Sequence, residues 1–264
     1  MSESPGASSA GSPADVLHDW TKGSFTAAGY THDTYRRGTG PAVVIVHEIP
    51  GITPKVAAFA NDVVHAGFTV VMPSLVGTPG KELTIGYGFR SMVRMCVARE
   101  FTHWATQQTS PIISWLRALA RSLHLECGGP GVGAIGMCFS GGFALGMMVD
   151  DVMVAPVLSQ PSLPLAIGPG GATRGRDLNL SPDDALTVAQ RAADGCQVLG
   201  LRFIDDALVG ERFAALRELL GDAFLVVELP SAAKRDHSVL TEQRDEHSVQ
   251  RVIQFLTDKL LPAT

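Results

Sequence analysis

The clearest candidate for a reactive group is Cys138, which lies in the small-residue run Gly136-Met137-Cys138-Phe139-Ser140-Gly141-Gly142. A nucleophile on a sharp turn between a strand and a helix needs small neighbours, and the usual pattern is glycine, any residue, nucleophile, any residue, glycine. Gly136 fits this pattern, whereas Ser140 stands where the second glycine is expected and Gly141 follows it. A helix that begins after the turn would favour the thiolate form of Cys138. Taken alone, the segment leaves open that Cys138 is an unreactive buried cysteine.

A cysteine nucleophile requires a base, and the base requires a carboxylate that orients it. Asp205 and Asp206 follow a predicted strand at 197–203, and His237 follows the next predicted strand at 224–229. Because the carboxyl ends of parallel strands meet at one edge of a sheet, these groups should approach Cys138. The order nucleophile, acid, histidine is the order that accompanies such a turn.

A second pattern overlaps the same stretch, because residues 131–136 read Gly-x-Gly-x-x-Gly, the dinucleotide fingerprint. That fingerprint should follow a hydrophobic strand, yet Cys127-Gly128-Gly129-Pro130 precedes it, and residues 132–135 look like the strand itself. A metal site at His237, Asp245 and His247 is conceivable, but an acidic helix start explains those residues without one. We therefore predict an enzyme without a metal or an organic cofactor.

The elements that must position these residues alternate between strand and helix along the chain. Short apolar runs predict buried strands at 41–47, 68–72, 132–137, 151–157, 197–203 and 224–229. Apolar residues at helical spacing predict helices at about 55–66, from 111 onward, at about 141–149, 211–220 and 245–260. Residues 73–88 and 161–182 are predicted loops, the first of them a long loop or lid. The alternation predicts an α/β fold with a mostly parallel central sheet and helices on both faces.

Composition limits the possible classes of function. The chain has 264 residues, 45% of them hydrophobic, and a formal net charge of −5. It has no run of basic residues of the kind that would indicate nucleic-acid binding. Residues 1–18 are rich in Ser, Gly, Pro and Ala, without the features of a secretory signal; we predict a disordered tail there and a single domain at 19–264. No apolar stretch is long enough for a membrane span. Four widely spaced cysteines fit reduced thiols in the cytoplasm.

With these residues in place, the chain resembles the dienelactone hydrolase family of the α/β-hydrolase superfamily, from about residue 25 to 260. The segments that carry the resemblance are His47-Glu48-Ile49-Pro50-Gly51, residues 136–142, Asp206-Ala207-Leu208-Val209 and His237-Ser238-Val239-Leu240. The resemblance implies that Cys138 attacks a carbonyl carbon and forms a thioester, that His237 transfers protons and that Asp206 orients His237. Asp205 remains an alternative to Asp206.

The same resemblance implies roles for three further groups. Glu48 corresponds to a family glutamate that faces the thiol and helps to control its ionisation. The backbone N–H groups of Ile49 and Phe139 correspond to the donors that hold the oxyanion.

Family members that cleave dienelactone bind its carboxylate with arginines, one of them four residues after the histidine, where this chain has Thr241. Two interpretations follow: Arg94 and Arg99, together with Arg235, replace that arginine, or the substrate lacks the carboxylate. In the second case the pocket would be more apolar, lined by Phe89, Met92, Trp104 and Leu163.

The leading hypothesis is therefore a carboxylic ester hydrolase of the dienelactone hydrolase type (the carboxymethylenebutenolidase class) that acts on a small ester or lactone. The alternative is a catalytically relaxed protein that binds a small molecule on the same fold. Ser140 in the turn and Thr241 after the histidine motivate that alternative. The sequence does not indicate an oligomeric state.

Overall fold

The computed structural model describes residues 15–88, 90–91, 101, 107–166, 168–233 and 236–261. Within these residues one central sheet contains eight strands in the order β1-β2-β4-β3-β5-β6-β7-β8. The strands are β1 Thr21–Ala27, β2 Tyr30–Arg37, β3 Ala42–Val46, β4 Thr69–Ser74, β5 Val132–Met137, β6 Met153–Ser159, β7 Val198–Phe203 and β8 Phe224–Leu229. The pairs β1/β2 and β2/β4 are antiparallel, and the other neighbours are parallel.

Helices cover both faces of the sheet. In the described part of the chain they are α1 Pro54–His65, α2 Pro111–Cys127, α3 Phe143–Met147, α4 Gly171–Arg176, α5 Pro182–Ala193, α6 Arg212–Leu220 and α7 Glu246–Leu260. One hydrophobic cluster joins the sheet to α2, α3, α5 and α6, and a second joins it to α1 and α7. Strands β3 and β5 are buried along their whole length between these clusters, as their continuous apolar sequences require.

The predicted α/β fold with a mostly parallel sheet is confirmed, and each of the six predicted strands is present. Most predicted elements begin and end within one residue of their predicted bounds, and three differ by two residues at one or both ends. Strand β4, predicted at 68–72, continues to Ser74; β6 starts and ends two residues later than predicted; and the predicted helix at 141–149 is only Phe143–Met147, after a 3-10 turn at Cys138–Ser140. Strands β1 and β2 and helices α4 and α5 were not predicted. Most of the predicted tail at 1–18 lies outside the described residues, and the tail stays a prediction there. Asp15–Leu17 form a 3-10 turn whose Leu17 is buried.

The segment at 73–88, predicted as a long loop, is packed against the end of β3. Leu75, Val76 and Tyr87 are buried, and the Tyr87 hydroxyl donates to the Thr78 carbonyl at 3.0 Å. A Cβ atom on Gly77 would lie 1.9 Å from the carbonyl oxygen of Pro50, so this contact requires glycine. The segment therefore packs closely against the loop that follows β3.

No helix among the described residues is both long enough and apolar enough to span a bilayer.

Candidate active site

Cys138 lies on a sharp turn at the carboxyl end of β5. Its φ angle is +57°, in the left-handed region that residues with a Cβ atom rarely adopt, and it begins a 3-10 turn that leads to α3. Two glycines make the turn possible: a Cβ on Gly136 would lie 2.1 Å from the Ser140 carbonyl oxygen, and one on Gly141 would lie 2.5 Å from Pro161 Cα. Strained backbone of this kind is typical of a residue held out for chemistry.

Ser140 occupies the position where the usual pattern has glycine, and its hydroxyl makes hydrogen bonds there that glycine could not make. The side chain is fully buried, and its Oγ accepts from the Met137 N–H at 2.9 Å. The same Oγ lies 2.8 Å from the Val46 carbonyl and 3.1 Å from the His47 carbonyl, so it donates to the end of β3. The Ser140 hydroxyl thus links the Cys138 turn to the end of β3. The close backbone contact that requires glycine is made instead by the next residue, Gly141, against Pro161.

Asp206 and His237 meet at the same edge of the sheet. Asp206 follows β7, His237 follows β8, and Nδ1 of His237 donates to Oδ2 of Asp206 at 2.6 Å. The other oxygen of Asp206 accepts from the Leu208 N–H at 3.0 Å, which fixes the carboxylate. The neighbouring residue Asp205 is exposed, and its backbone N–H donates to the Ser231 hydroxyl. Among the described residues its carboxylate makes no hydrogen bond to His237. Of the two predicted acids, the structure therefore brings Asp206 to His237.

The electrostatic surroundings of His237 favour its charged form. Burial opposes protonation of the imidazole, but the interaction with the neighbouring Cys138 and the hydrogen bond to Asp206 outweigh it, and the pKa of His237 is raised above its ordinary value. The remaining ring nitrogen, Nε2, is buried and has no aligned hydrogen-bond partner among the described residues. The Cys138 side chain also interacts with this imidazole and raises its pKa, so His237 and Cys138 are close neighbours.

The sulfur of Cys138 has a polar neighbour that sequence reasoning missed. The Ser162 hydroxyl lies 3.5 Å from Sγ, and the Ser162 N–H donates to the Cys138 carbonyl at 3.0 Å. Ser162 is buried and lies just after β6, at the sheet edge that carries the other site residues. Its position after a parallel strand is the one signal by which the sequence could have indicated it.

Glu48 is buried, and its carboxylate is held by three side chains. Oε2 accepts from Ser238 at 2.7 Å and from Gln160 at 3.3 Å, and Oε1 accepts from the hydroxyl of Thr241. Burial raises the pKa of Glu48, and the hydrogen bonds from Thr241 and Ser238 partly offset this increase. No hydrogen bond joins Glu48 to Cys138 within the described residues, so Glu48 contacts the loop that carries His237 rather than the thiol itself.

The predicted oxyanion donors lie just after two adjacent strands, β3 and β5. Val46 of β3 pairs with Gly136 of β5, and Ile49 and Phe139 each follow three residues after that pair. In the described part of the chain, neither the Ile49 N–H nor the Phe139 N–H donates to another group of the protein. Both donors are therefore free to bind an oxygen atom near the Cys138 turn.

Several residues that the sequence singled out are not part of this cluster. Leu163 is buried in the core, and its carbonyl accepts from the guanidinium of Arg212 at 3.1 Å. The predicted substrate-binding or pocket residues Arg94, Arg99, Arg235, Phe89, Met92 and Trp104 lie outside the described residues.

The glycine pattern at 131–136 falls within β5 rather than in a turn before a helix. A Cβ on Gly133 would lie 2.9 Å from Leu256 and 3.1 Å from Leu260, so this glycine allows α7 to pack closely on the sheet. The dinucleotide interpretation of this segment is therefore wrong.

Asp245, which the sequence offered as a conceivable metal ligand, caps α7 by accepting from the Ser248 N–H at 2.7 Å, and His247 is exposed. Over the residues that the structure describes, no group of three or more His, Cys, Asp and Glu side chains is arranged to hold a metal ion.

Comparison with known protein families identifies the family to which the chain belongs. The sequence model of the dienelactone hydrolase family matches residues 27–160, half of the chain. This protein belongs to the dienelactone hydrolase family. The matched region includes Glu48 and Cys138 and ends before Asp206 and His237, and a search of curated proteins finds no match.

Solved structures share its α/β-hydrolase fold. The dienelactone hydrolase from Anabaena variabilis has 15% sequence identity and a TM-score of 0.60, over 92% of this chain and 100% of that chain. A dienelactone hydrolase-like promiscuous phosphotriesterase from metagenomic libraries has 17% identity and a TM-score of 0.59, over 91% and 98%. A cold-adapted esterase from an Arctic intertidal metagenomic library has 16% identity and a TM-score of 0.59, over 90% and 93%. Family membership supports an ester hydrolase with a small-molecule substrate.

Proposed function

We propose that this protein hydrolyses a small ester or lactone with Cys138 as the nucleophile, His237 as the acid and base, and Asp206 as the group that orients His237. The observation that carries the proposal is the buried 2.6 Å hydrogen bond from His237 to Asp206, on the sheet edge where Cys138 stands in a strained turn. A cysteine, a histidine and a carboxylate in this order and on these loops form an activated nucleophile.

In the first step the Cys138 thiolate attacks the carbonyl carbon, and a C–S bond forms as the carbonyl oxygen becomes an oxyanion. The raised pKa of His237 supports an imidazolium beside this thiolate. When the oxyanion collapses, the C–O bond to the leaving group breaks, and Nε2 of His237 donates its proton to the departing alkoxide. The products are an alcohol and a thioester on Cys138; for a lactone, both remain in one molecule.

In the second step His237, now neutral, accepts a proton from a water molecule that attacks the thioester carbon. A second oxyanion forms and collapses, the C–S bond breaks, and Cys138 leaves as the thiolate beside the imidazolium. Asp206 holds Nδ1 throughout, so Nε2 faces the reacting atoms in both steps. The released acid loses its proton to solvent, which restores the starting state.

The backbone N–H groups of Ile49 and Phe139 are the proposed donors to the oxyanion. Both lack a protein acceptor among the described residues, and the register of β3 and β5 puts them on neighbouring loops. Loss of one such donor typically lowers kcat by about 10² to 10³ fold.

Glu48 is proposed to act on the thiol through His237. Its carboxylate contacts Ser238, the residue after His237, and its charge favours the imidazolium. Ionisation of Glu48 therefore stabilises the thiolate–imidazolium pair, whereas protonation of Glu48 weakens it.

The substrate is proposed to lack the carboxylate that dienelactone carries, unless Arg94 or Arg99 binds it. Thr241 stands at the position of the family arginine, and its hydroxyl is used by Glu48. A thiol nucleophile also needs reducing conditions, so we propose a cytoplasmic location.

The proposal is tested by hydrolysis of p-nitrophenyl esters and lactones, with and without a carboxylate on the acyl group, by wild type, Cys138→Ala and the control Cys127→Ala. We expect Cys138→Ala to lose activity and Cys127→Ala to keep it, with neutral substrates preferred. Full activity in Cys138→Ala would overturn the proposed nucleophile. Absence of turnover on every substrate, with a ligand still bound in the cleft, would favour the catalytically relaxed binding protein.

A further inference from the structure

His47 is a fully buried histidine at the end of β3 to which the hydrolytic scheme gives no role. Its Nδ1 atom lies 2.8 Å from the carbonyl oxygen of Glu48. Its Nε2 atom accepts from the backbone N–H of Leu75 at 3.0 Å and lies 3.4 Å from that of Val76. Both ring nitrogens are therefore bound to backbone groups on opposite sides of the imidazole.

These partners determine which nitrogen carries the hydrogen. A backbone N–H only donates, so Nε2 must present a lone pair, and a carbonyl only accepts, so Nδ1 must carry the hydrogen. Burial lowers the pKa of His47 to about 4, against a partial increase from the bond to Glu48. His47 is therefore neutral at physiological pH, with its single N–H donated to the Glu48 carbonyl.

That carbonyl belongs to the same peptide group as the Ile49 N–H. A trans peptide is planar, and its C=O and N–H point in opposite directions. The hydrogen bond that draws the Glu48 oxygen toward His47 therefore turns the Ile49 N–H away from His47. Ile49 is only half-buried, and its N–H has no acceptor in the described part of the chain.

Further contacts keep the imidazole in place. The His47 ring lies against the ring of Phe139, with 5.9 Å between centroids, and Phe139 carries the other proposed oxyanion donor. On the opposite side, a Cβ on Gly51 would lie 2.8 Å from the Val76 carbonyl, so the loop after β3 and the segment that binds Nε2 are in close contact. Rotation of the Glu48–Ile49 peptide would break the bond to Nδ1 and leave a buried imidazole N–H unpaired.

We propose that His47 is a positioning residue: its Nδ1–H holds the Glu48–Ile49 peptide in the orientation that presents the Ile49 N–H to the oxyanion formed at Cys138. The inference rests on the proposed hydrolysis and adds to it the group that sets the oxyanion donor. The other ring nitrogen of His47, Nε2, holds the imidazole in place by accepting from the backbone at 75–76.

Two substitutions separate the two halves of this arrangement. Asparagine places an amide N–H near the position of Nδ1, so His47→Asn keeps a donor to the Glu48 carbonyl and loses the acceptor for Leu75. Glutamine places an amide oxygen near the position of Nε2, so His47→Gln keeps that acceptor and loses the donor to Glu48. If His47 only supports the fold, the two variants should lose activity in proportion to their loss of stability.

The experiment measures p-nitrophenyl acetate hydrolysis and the rate of iodoacetamide alkylation of Cys138, mapped by mass spectrometry, in the full-length wild type and both variants. Alkylation of a thiolate forms no oxyanion, so it reports on the nucleophile alone. We expect His47→Gln to lose about 100-fold in kcat with KM within about three-fold, and His47→Asn to stay within about ten-fold of wild type. Alkylation of Cys138 should stay within about three-fold in both variants.

Wild-type kcat in His47→Gln, while Cys138→Ala is inactive, would overturn the role of His47 and leave the proposed hydrolysis standing. A parallel fall of hydrolysis and alkylation in His47→Gln would also overturn it, because the imidazole would then act through the thiol or the fold. Full activity in Cys138→Ala would instead show that the nucleophile is wrong, and this inference would fall with it.

Discussion

Protonation of His47 should contribute to the loss of stability of this protein at acid pH. The imidazole is fully buried, accepts a backbone hydrogen bond at Nε2 and has a pKa of about 4 in the folded state, against an ordinary value of 6.5. Above pH 6.5 the side chain is neutral in both the folded and the unfolded chain. As the pH falls below 6.5 the unfolded chain binds a proton that the folded chain does not, so stability is lost until about pH 4.

The size of the effect follows from that interval. Each tenfold change in proton affinity corresponds to 1.36 kcal/mol, so a fall from 6.5 to about 4 gives a loss of about 3 kcal/mol in the free energy of unfolding. That is a large part of the stability of an ordinary domain, typically about 5 to 15 kcal/mol. The cause is physical: a protonated Nε2 would face the Leu75 N–H in a fully buried site.

The assay is urea unfolding followed by tryptophan fluorescence between about pH 4 and pH 8, for wild type, His47→Gln and the control His247→Gln. Glutamine does not titrate, so the stability of His47→Gln relative to wild type should rise by about 3 kcal/mol toward acid pH. His247 is exposed in the first turn of α7, so its replacement makes the same change of side chain outside the core. Parallel profiles for wild type and His47→Gln would refute the reasoning.

Three further predictions concern other buried charged groups. Asp206→Asn should lower kcat by about 10² to 10⁴ fold, because the orienting charge on His237 is lost, whereas Asp205→Asn should stay within about three-fold of wild type; equal losses in steady-state kinetics would contradict the assignment. Burial raises the pKa of Glu48 in the folded state above its value in the unfolded chain. The protonated side chain therefore contributes to stability below the unfolded pKa, and this contribution is lost as the pH rises through the folded pKa. Glu48→Gln should therefore gain stability over wild type at alkaline pH in urea unfolding, and an unchanged difference across pH would argue against this account. Arg212→Met should destabilise the fold by on the order of 3 kcal/mol, because it leaves buried carbonyls unpaired; an unchanged Tm would contradict it. The carbonyls that accept from this guanidinium are those of Leu163, Pro164, Arg174, Leu208 and Val209.

The sheet was predictable where burial leaves a clear mark on the sequence. Strands β3 and β5 are buried on both faces and consist of short apolar runs. Strands β1 and β2 were missed because both contain many polar residues. Strand β1 is an edge strand and largely exposed, and β2 beside it is mostly half-buried. Helix α5 was missed for a related reason, since only Val188 and Ala192 are buried along it and its apolar stripe is narrow.

The candidate site divides in the same way. Cys138, Asp206 and His237 could be singled out because a strained turn needs glycines and because chain order and strand ends bring the three to one edge. Ser162 and Gln160 follow β6 at the same edge, but this position alone does not separate them from other polar loop residues, because each acquires its partner only in the folded geometry.

Arg212 shows the limit of helical patterning. It begins α6, a place where an arginine is ordinarily solvated, yet the structure buries it among backbone carbonyls. No sequence period distinguishes this arrangement from an exposed one.

The most direct test of the central claim is to identify the residue that carries the acyl group during turnover. Wild type mixed with p-nitrophenyl acetate and quenched in acid during the first turnovers should yield an acetylated peptide that contains Cys138, and His237→Ala should accumulate less of it. Acetylation of Cys138 at the rate of p-nitrophenol release is the predicted result. Release of p-nitrophenol without acetylation of Cys138, or with acetylation of another residue at the same rate, would contradict the account.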